Sequence, residues 1–200
     1  MKRALVHIFG AAALVGVTTI PVFAQDAKVE IAGGWQFLNG REIDPVLVDE
    51  VSTSKGFFVE GAGSVTSMFS VVGEYSDSSQ DVPITVGFPP PTGSVAARNH
   101  RTVRTFMGGI RVGAPAARVV RPFAEVLFGG VHTSASFSFA SPGLGVQALV
   151  GTAFGYDFAG GVDVRFSRHL AARTKATLLR VNQYADDNVF RLQAGLVILF

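Results

Sequence analysis

Three features of the sequence predict an all-β fold, an eight-stranded antiparallel up-and-down barrel that crosses a membrane. Apolar and polar residues alternate with a period of two in eight separate segments, which is the pattern of strands with two different faces. Short and long connections alternate between these segments. The chain is 48% hydrophobic, yet no apolar helical span stands out after residue 24. Such a chain places its apolar residues either in a soluble core or in a lipid-facing wall.

The N-terminus has the pattern of a cleavable signal peptide. Lys2 and Arg3 give a positive start, an apolar stretch runs to Val22, and Ala24 completes a cleavage pattern of small or apolar residues. We therefore expect a signal peptide over residues 1–24, preceding an outer-membrane barrel domain over residues 25–200. A retained N-terminal membrane anchor is the alternative.

Removal of the signal peptide changes the charge balance. The full chain has 17 basic and 15 acidic residues, and residues 1–24 contain two bases and no acid, so 15 of each remain. A net charge of zero argues against a nucleic-acid partner, which requires a basic surface. The chain contains no cysteine, so the exported fold needs no disulfide.

Eight strands are predicted from the alternation, each near the ten or so residues of a tilted membrane-spanning strand. In chain order they cover residues 28–37, 57–65, 69–76, 105–112, 121–130, 154–166, 170–178 and 190–200. The seventh is the least regular. The apolar members of one parity are, strand by strand, Val29, Ile31, Trp35 and Phe37; Phe57, Val59 and Val65; Phe69, Val71 and Tyr75; Phe106, Ile110 and Val112; Ala124, Val126 and Phe128; Phe154, Tyr156, Phe158, Val162, Val164 and Phe166; Leu170, Ala172, Ala176 and Leu178; and Phe190, Leu192, Ala194, Leu196, Ile198 and Phe200.

The connections predict which end of the barrel faces outward. Short turns are expected at 66–67, 113–116 and 167–169, and longer loops at 40–55, 77–99, 132–149 and 183–188. Outer-membrane barrels have short periplasmic turns and longer outer loops. The longest loop contains Asp81-Val82-Pro83 and Pro89-Pro90-Pro91, which we expect to interrupt any ladder and to leave this loop mobile and exposed.

The opposite parity predicts a charged lumen. An eight-stranded interior is just wide enough to be filled by side chains or to hold one small ligand, so the aromatic stripe is too bulky to point inward. A soluble lipocalin-like barrel with a ligand in its lumen is the alternative. Charged residues fall on the other stripe, where we expect them to pair: Glu30, Glu60, Glu74, Arg101, Arg111, Arg121, Glu125, Asp157, Asp163, Arg165, Arg173, Lys175 and Arg191.

Aromatic residues and two stray charges mark the predicted membrane interfaces. One aromatic girdle is expected near the outer rim and a second near the periplasmic rim. Arg104 and Arg180 break the parity near the outer ends of their strands, where they would meet either anionic lipid phosphates or solvent. The outer-rim residues are Phe37, Phe57, Tyr75, Phe154 and Phe190, and the periplasmic ones are Phe69, Phe166 and Phe200.

The C-terminal run from Phe190 to Phe200 resembles that of the small OmpA/OmpX-like outer-membrane barrel family. In that family a terminal phenylalanine after alternating apolar residues is the signal read by the barrel assembly machinery. By this resemblance Leu196, Ile198 and Phe200 carry the assembly signal. The resemblance implies a bacterial outer-membrane location among outer-membrane lipids and lipopolysaccharide, and it implies no particular activity.

The sequence predicts no enzyme, no cofactor and no metal site. His132-Thr133-Ser134 resembles the His-x-Ser of lipid A 3-O-deacylases, but Ala135 follows the serine and no carboxylate lies between Ser134 and Tyr156 to orient the histidine. Three functional classes remain. The favoured one is a structural or surface-interaction barrel whose outer loops contact an extracellular ligand. The others are a narrow channel for small solutes and, least favoured, lipid A modification.

Overall fold

The structure, a computed structural model, describes residues 29–41, 51–87, 94–115, 119–139, 147–182 and 188–200. No helix among these residues is long and apolar enough to cross a membrane. The predicted signal peptide over residues 1–24 and the run from Pro89 to Pro91 lie outside the described residues.

Eight antiparallel strands form a closed barrel, as the alternation predicts. Each strand pairs with its neighbours in the sequence, and the last strand pairs with the first. Every strand therefore has a paired neighbour on both sides over at least part of its length. In chain order the strands are β1 (Val29–Arg41), β2 (Val51–Ser64), β3 (Phe69–Gly87), β4 (Ser94–Gly113), β5 (Val120–Phe139), β6 (Gln147–Arg165), β7 (Leu170–Val181) and β8 (Asn188–Leu199).

The apolar stripe faces outward, as predicted for a membrane barrel. Trp35 is 73% exposed, Phe106 62% and Phe166 64%, whereas their neighbours of opposite parity point into the lumen. These exposed side chains form a belt around the barrel, which is the surface that contacts lipid in membrane barrels. The soluble, lipocalin-like orientation is therefore wrong for this chain.

Four strands extend much further than the sequence pattern predicted. The expected loops at 77–99 and 132–149 are largely strand, because β3 continues to Gly87, β4 begins at Ser94, and β5 and β6 pair as far as Phe137 with Gln147. We call residues 80–87, 94–103, 133–139 and 147–153 the outer extension.

Pro83 does not interrupt the ladder, contrary to the prediction, and pairs with Arg98. The reason lies in the neighbouring strand. The pairing of β2 with β3 ends at Lys55 and Ser79, so beyond this point β3 forms an edge. A proline on an edge removes no hydrogen bond from the sheet, because its missing N–H would face away from the neighbouring strand.

The barrel closes where β1 meets β8. The N–H of Phe200 donates to the carbonyl of Val29 at 3.0 Å, and Gly34 pairs with Gly195 in the lumen-facing wall. A Cβ on Gly34 would lie 2.1 Å from the carbonyl oxygen of Ala194, so this close approach requires glycine. Apolar residues share the lumen with the charged ones: the ring of Phe58 lies 5.9 Å from Nζ of Lys175, and Leu127 belongs to a cluster of buried apolar side chains.

Candidate functional site in the lumen and the outer extension

Eleven charged side chains form one connected network in the lumen. Alternation places them there, because each occupies the inward parity of its strand. All are buried, and they come from every strand, so the network ties the whole wall together. The acids are Glu30, Glu60, Glu74, Glu125, Asp157 and Asp163, and the bases are Arg111, Arg121, Arg173, Lys175 and Arg191.

Arg111 on β4 joins three carboxylates. Its Nε and Nη2 atoms both donate to Oε2 of Glu125, at 2.9 and 2.7 Å. Its Nη1 lies 3.3 Å from Oε2 of Glu30, and its Nη2 also donates to Glu60. Since the guanidinium offers five donors in a planar fork, one arginine can hold carboxylates from β1, β2 and β5 together.

Arg173 on β7 makes a bidentate pair with Asp163, through Nε and Nη2 at 2.7 Å each. It also donates to Glu60, and its Nη2 lies 3.1 Å from Glu30. The ring of Phe123 lies 5.0 Å from this guanidinium, which adds a cation–π contact. Charge and aromatic surface are therefore packed together rather than separated.

The carboxylate of Glu30 reaches across the barrel. Its Oε1 accepts from Nη1 of Arg121 at 2.6 Å, and β1 and β5 lie on opposite sides of the eight-stranded ring. Arg121 is fixed in turn by the carbonyl oxygen of Ala114, to which its Nε donates at 2.9 Å. The network therefore spans the lumen from wall to wall.

Lys175 occupies the centre of a cage of three carboxylates. Its Nζ lies 2.9 Å from Glu60, 2.5 Å from Glu74 and 2.6 Å from Glu125. These three carboxylates offer oxygens within 4.8 Å of one another, a spacing that would also suit a metal ion. The ammonium group already takes that position and supplies one donor to each acid.

Arg191 and a group of neutral polar residues continue the network. Arg191 lies 2.5 Å from Asp157 through Nη2 and 2.8 Å from Glu74 through Nη1. Gln193 donates to Gln36 at 3.1 Å, and Gln36 donates to Ser78 at 2.6 Å. The sequence analysis missed these uncharged members, although their inward parity was a usable signal.

Two of the predicted lumen charges lie at the ends of the stripe. Arg101 is half-buried in the outer extension, opposite Gln80 and Ala135, and about 33 Å along β4 from Arg111. Arg165 is half-buried at the opposite end of its strand, β6. Both have the predicted parity, and Arg165 lies two residues along β6 from Asp163, a member of the central network.

The outward face of β3 and β4 becomes polar at the edge of the apolar belt, and polar residues continue along it into the outer extension. At this edge Nε of Arg104 donates to Asp77 at 2.9 Å, and within the extension Nδ1 of His100 lies 2.8 Å from Asp81. Arg104 is 52% exposed and His100 51%. These residues have the same parity as the apolar belt, so the outward surface changes from apolar to polar along the same strands.

His132 and Ser134 lie on this outward face but do not form a catalytic arrangement. Nδ1 of His132 lies 2.9 Å from the hydroxyl oxygen of Thr152, its partner on β6. Its other cross-strand neighbour is Arg104, which holds Asp77, the carboxylate of the same row. The carboxylate of Asp77 is therefore bound by Arg104 and does not orient His132 as the acid of a catalytic triad would.

Comparison with known proteins identifies the architecture. The chain matches no protein-family model and has no significant match among curated protein sequences. Among solved structures it is similar to Ail, the attachment invasion locus protein of Yersinia pestis, crystallised with the heparin analogue sucrose octasulfate. The identity is 14% and the TM-score 0.59, over 86% of this chain and 97% of that one. The chain has the fold of a small outer-membrane β-barrel.

Two further barrels support this assignment. Neisserial surface protein A is 11% identical with a TM-score of 0.54, over 86% of this chain and 97% of its own. The outer membrane protein OprG from Pseudomonas aeruginosa is 11% identical with a TM-score of 0.57, over 86% of this chain and 95% of its own. The fold is therefore that of bacterial outer-membrane barrels, as the sequence predicts.

Proposed function

We propose that the chain is a surface-interaction protein of the outer membrane, in which the filled lumen is a rigid support and the outer extension contacts an extracellular partner. The observation that carries the proposal is the continuation of four paired strands beyond the apolar belt, with a polar outward face. Ion pairs between opposite walls, such as Glu30 with Arg121, argue against the alternative of a narrow channel. We propose no enzymatic activity.

The two edges of the outer extension favour different roles. Beyond Ser79, β3 pairs only with β4 among the described strands, and this edge carries Asp81 and Pro83. Beyond Phe154 toward its N-terminus, β6 pairs only with β5 among the described strands, and residues 147–154 contain no charge and no proline. Charged residues and proline protect an edge from strand addition. An extended segment of a protein partner therefore fits the β6 edge better.

A shortened barrel tests the proposal. Both extended hairpins would be closed early with two-residue Asn-Gly turns, one after Ser79 and before Thr102, the other after Ser134 and before Val150. Cells displaying the full and the shortened protein would be compared for adhesion to epithelial cells and to immobilised matrix proteins. We expect adhesion to fall to the level of cells without the protein, while the heat-dependent shift of the folded barrel on a denaturing gel is retained. Equal adhesion with intact folding would contradict the proposal.

A sulfated glycan is a second candidate ligand, favoured by three arginines that lie near one another. Ail was crystallised with a heparin analogue. In this chain Arg98, Arg101 and Arg104 lie within seven residues of β4 in or next to the outer extension, Arg98 and Arg104 with outward parity and Arg101 with inward parity. Retention of the purified barrel on heparin–agarose, lost on changing the three arginines to glutamine, would support this ligand. If the variant is retained as strongly as the wild type, these arginines do not bind a sulfated glycan and this candidate ligand is excluded.

Assembly through the C-terminal strand is part of the same proposal. We infer that Leu196, Ile198 and Phe200 form the signal for the barrel assembly machinery, because they are exposed on the last strand in alternate positions. Boiled and unboiled outer-membrane fractions of wild type and Phe200→Ala would be compared on a gel. We expect the heat-dependent shift in wild type and a weaker or absent shift in the variant. Recovery of the wild type in the soluble periplasmic fraction would contradict the membrane location itself.

A further inference from the structure

Three glycines on neighbouring strands leave a gap in the apolar belt. Gly61 on β2 pairs with Gly73 on β3, and Gly73 pairs with Gly108 on β4. All three have the outward parity. The row therefore exposes bare backbone across three strands, about 10 Å at an interstrand spacing of about 4.8 Å. We call this feature the glycine trough.

Packing within the barrel does not require these glycines. A Cβ on Gly61 or Gly73 would have no heavy atom within 4 Å, and one on Gly108 would make an ordinary contact of 3.7 Å. Gly34 is the contrast, because a Cβ there would lie 2.1 Å from backbone. The trough is thus open space on the outer wall, where valine or isoleucine would be accommodated and would suit a strand better.

Large apolar side chains enclose the trough on its sides. In the same row, Ile31 on β1 lies beside Gly61 and Phe128 on β5 lies beside Gly108. They are 46% and 55% exposed. One row closer to the periplasm, Val71 and Ile110 project from β3 and β4.

A ledge of aromatic rings borders the trough on the outer side. The ring of Tyr75 lies 4.7 Å from that of Phe106 and 6.0 Å from that of Phe57, measured between centroids. The three rings come from the same three strands as the glycines. Together with the side walls they bound an apolar depression that fits a hydrocarbon chain.

Cationic side chains lie on the outer side of the ledge. Lys55 on β2 precedes Phe57 by two residues, and Arg104 on β4 precedes Phe106 by two, so all four face outward. Arg104 is 52% exposed beside Asp77, so its guanidinium can also donate hydrogen bonds to a phosphate oxygen. Lys55 is exposed as well. From Gly108 to Arg104 is about 13 Å along the strand, the direction from the hydrocarbon region toward the outer headgroups.

We propose that this face of β2 to β4 binds one molecule of a phosphorylated, multiply acylated glycolipid of the lipid A type. One acyl chain lies in the glycine trough, the aromatic ledge packs against the chain near the headgroup, and Lys55 and Arg104 bind a headgroup phosphate. The inference rests on the proposed membrane location, because it requires the outer extension to lie outside the outer leaflet. Among the described residues of β2 to β4, the outward-facing cations lie on the outer side of the trough, which favours a lipid of that leaflet over a phospholipid of the inner leaflet.

Native mass spectrometry of the full barrel in mild detergent tests the acyl-chain contact. Purified wild type, Gly73→Val and Gly160→Val would each be titrated with bisphosphorylated lipid A. Gly160 is the matched control, since it is an exposed outward glycine on β6 whose added Cβ would meet only the carbonyl oxygen of Phe123, at 4.0 Å. We expect Gly73→Val to weaken binding about tenfold, which corresponds to about 1.4 kcal/mol, and Gly160→Val to leave it unchanged. Equal binding by both variants would overturn the proposal.

The headgroup contact has its own measurement. The same titration would use lipid A without phosphates and, separately, phosphatidylglycerol. We expect wild type to prefer bisphosphorylated lipid A to both, and we expect the Lys55→Gln, Arg104→Gln double variant to lose the preference over dephosphorylated lipid A. Equal affinity of wild type for phosphatidylglycerol and lipid A would overturn the assignment to a glycolipid. The heat-dependent gel shift is measured on every sample. Samples that show the shift contain a folded barrel, so a loss of lipid binding in them is distinct from the result expected if the protein were not a membrane barrel.

Discussion

The barrel within the apolar belt and the outer extension share four strands but are stabilised differently. Within the belt, Arg111 on β4 is buried and contacts three carboxylates, one of which also pairs with Lys175 and Arg173. Further along the same strand, Arg104 and His100 are half exposed, and each contacts a single aspartate on β3, Asp77 and Asp81 respectively. Buried charges depend on their partners, whereas exposed ones are solvated without them. Stability should therefore reside in the lumen and wall, which leaves the extension free to serve recognition.

Removal of the lysine at the centre of the cage should have the largest effect. Lys175→Met leaves the three carboxylates that contact Nζ facing one another without their shared cation. Breaking a buried ion pair from one side destabilises a protein by about 3–5 kcal/mol. We expect the variant to lose its heat-resistant folded band or to unfold at a much lower urea concentration in detergent.

Lys55→Met is the matched control, because Lys55 is exposed on the outward face of β2. Its unfolding midpoint should stay close to that of the wild type. If Lys175→Met unfolds at the same urea concentration as Lys55→Met, the lumen network does not stabilise the barrel as the contrast between the two regions requires.

An arginine introduced at two depths compares the wall with the extension directly. Phe128 is 55% exposed in the middle of the belt segment of β5, and Ser136 has the same outward parity in the extension of that strand. A lipid-facing arginine near the bilayer midplane costs about 2–4 kcal/mol, and a solvated one costs little. Urea unfolding in lipid vesicles should show a large loss for Phe128→Arg and almost none for Ser136→Arg. Equal losses would mean that the belt does not lie in the bilayer.

The same difference explains how much of the fold could be read from the sequence. In the belt, lipid selects apolar residues on one face and the lumen selects charges on the other, so segments such as 190–200 alternate strictly. In the extension, solvent contacts the outward face, so outward positions such as Ser134 and Ser136 are occupied by polar residues and no apolar stripe forms. Alternation then disappears while the ladder continues, which is why residues 80–87 and 133–139 looked like loops.

The site was predictable in its composition but not in its connections. Parity assigned the charged residues to one lumen, yet sequence cannot rank partners that meet across the barrel, such as Glu30 with Arg121. Nor could it show that Lys175 would lie among three acids, because that depends on the stagger between strands. The glycine trough was missed for the same reason, since Gly61, Gly73 and Gly108 align only after the register is known.

A methyl group at the closing seam should have an intermediate effect. The added Cβ of Gly34→Ala would lie 2.1 Å from the carbonyl oxygen of Ala194 and 2.4 Å from Cα of Gly195, so β1 and β8 must move apart. Overpacking of this kind costs about 1–3 kcal/mol. Gly151→Ala in the extension, where nothing lies within 4 Å, is the control. Urea midpoints that fall equally, or not at all, would show that the seam tolerates displacement.

Loss of an exposed contact in the extension should have the smallest effect. Asp81→Asn changes the carboxylate that lies 2.8 Å from Nδ1 of His100, and both side chains are more than half exposed, at 62% and 51%. Even a fully charged pair with this exposure contributes only about 0–1 kcal/mol, because water replaces the lost partner and salt screens the attraction. The urea midpoint of Asp81→Asn should therefore stay close to that of the wild type at low and at high salt. A loss comparable to that of Lys175→Met would mean that the extension is part of the barrel's stabilising framework, and that the separation between a rigid lumen and a variable recognition surface is wrong.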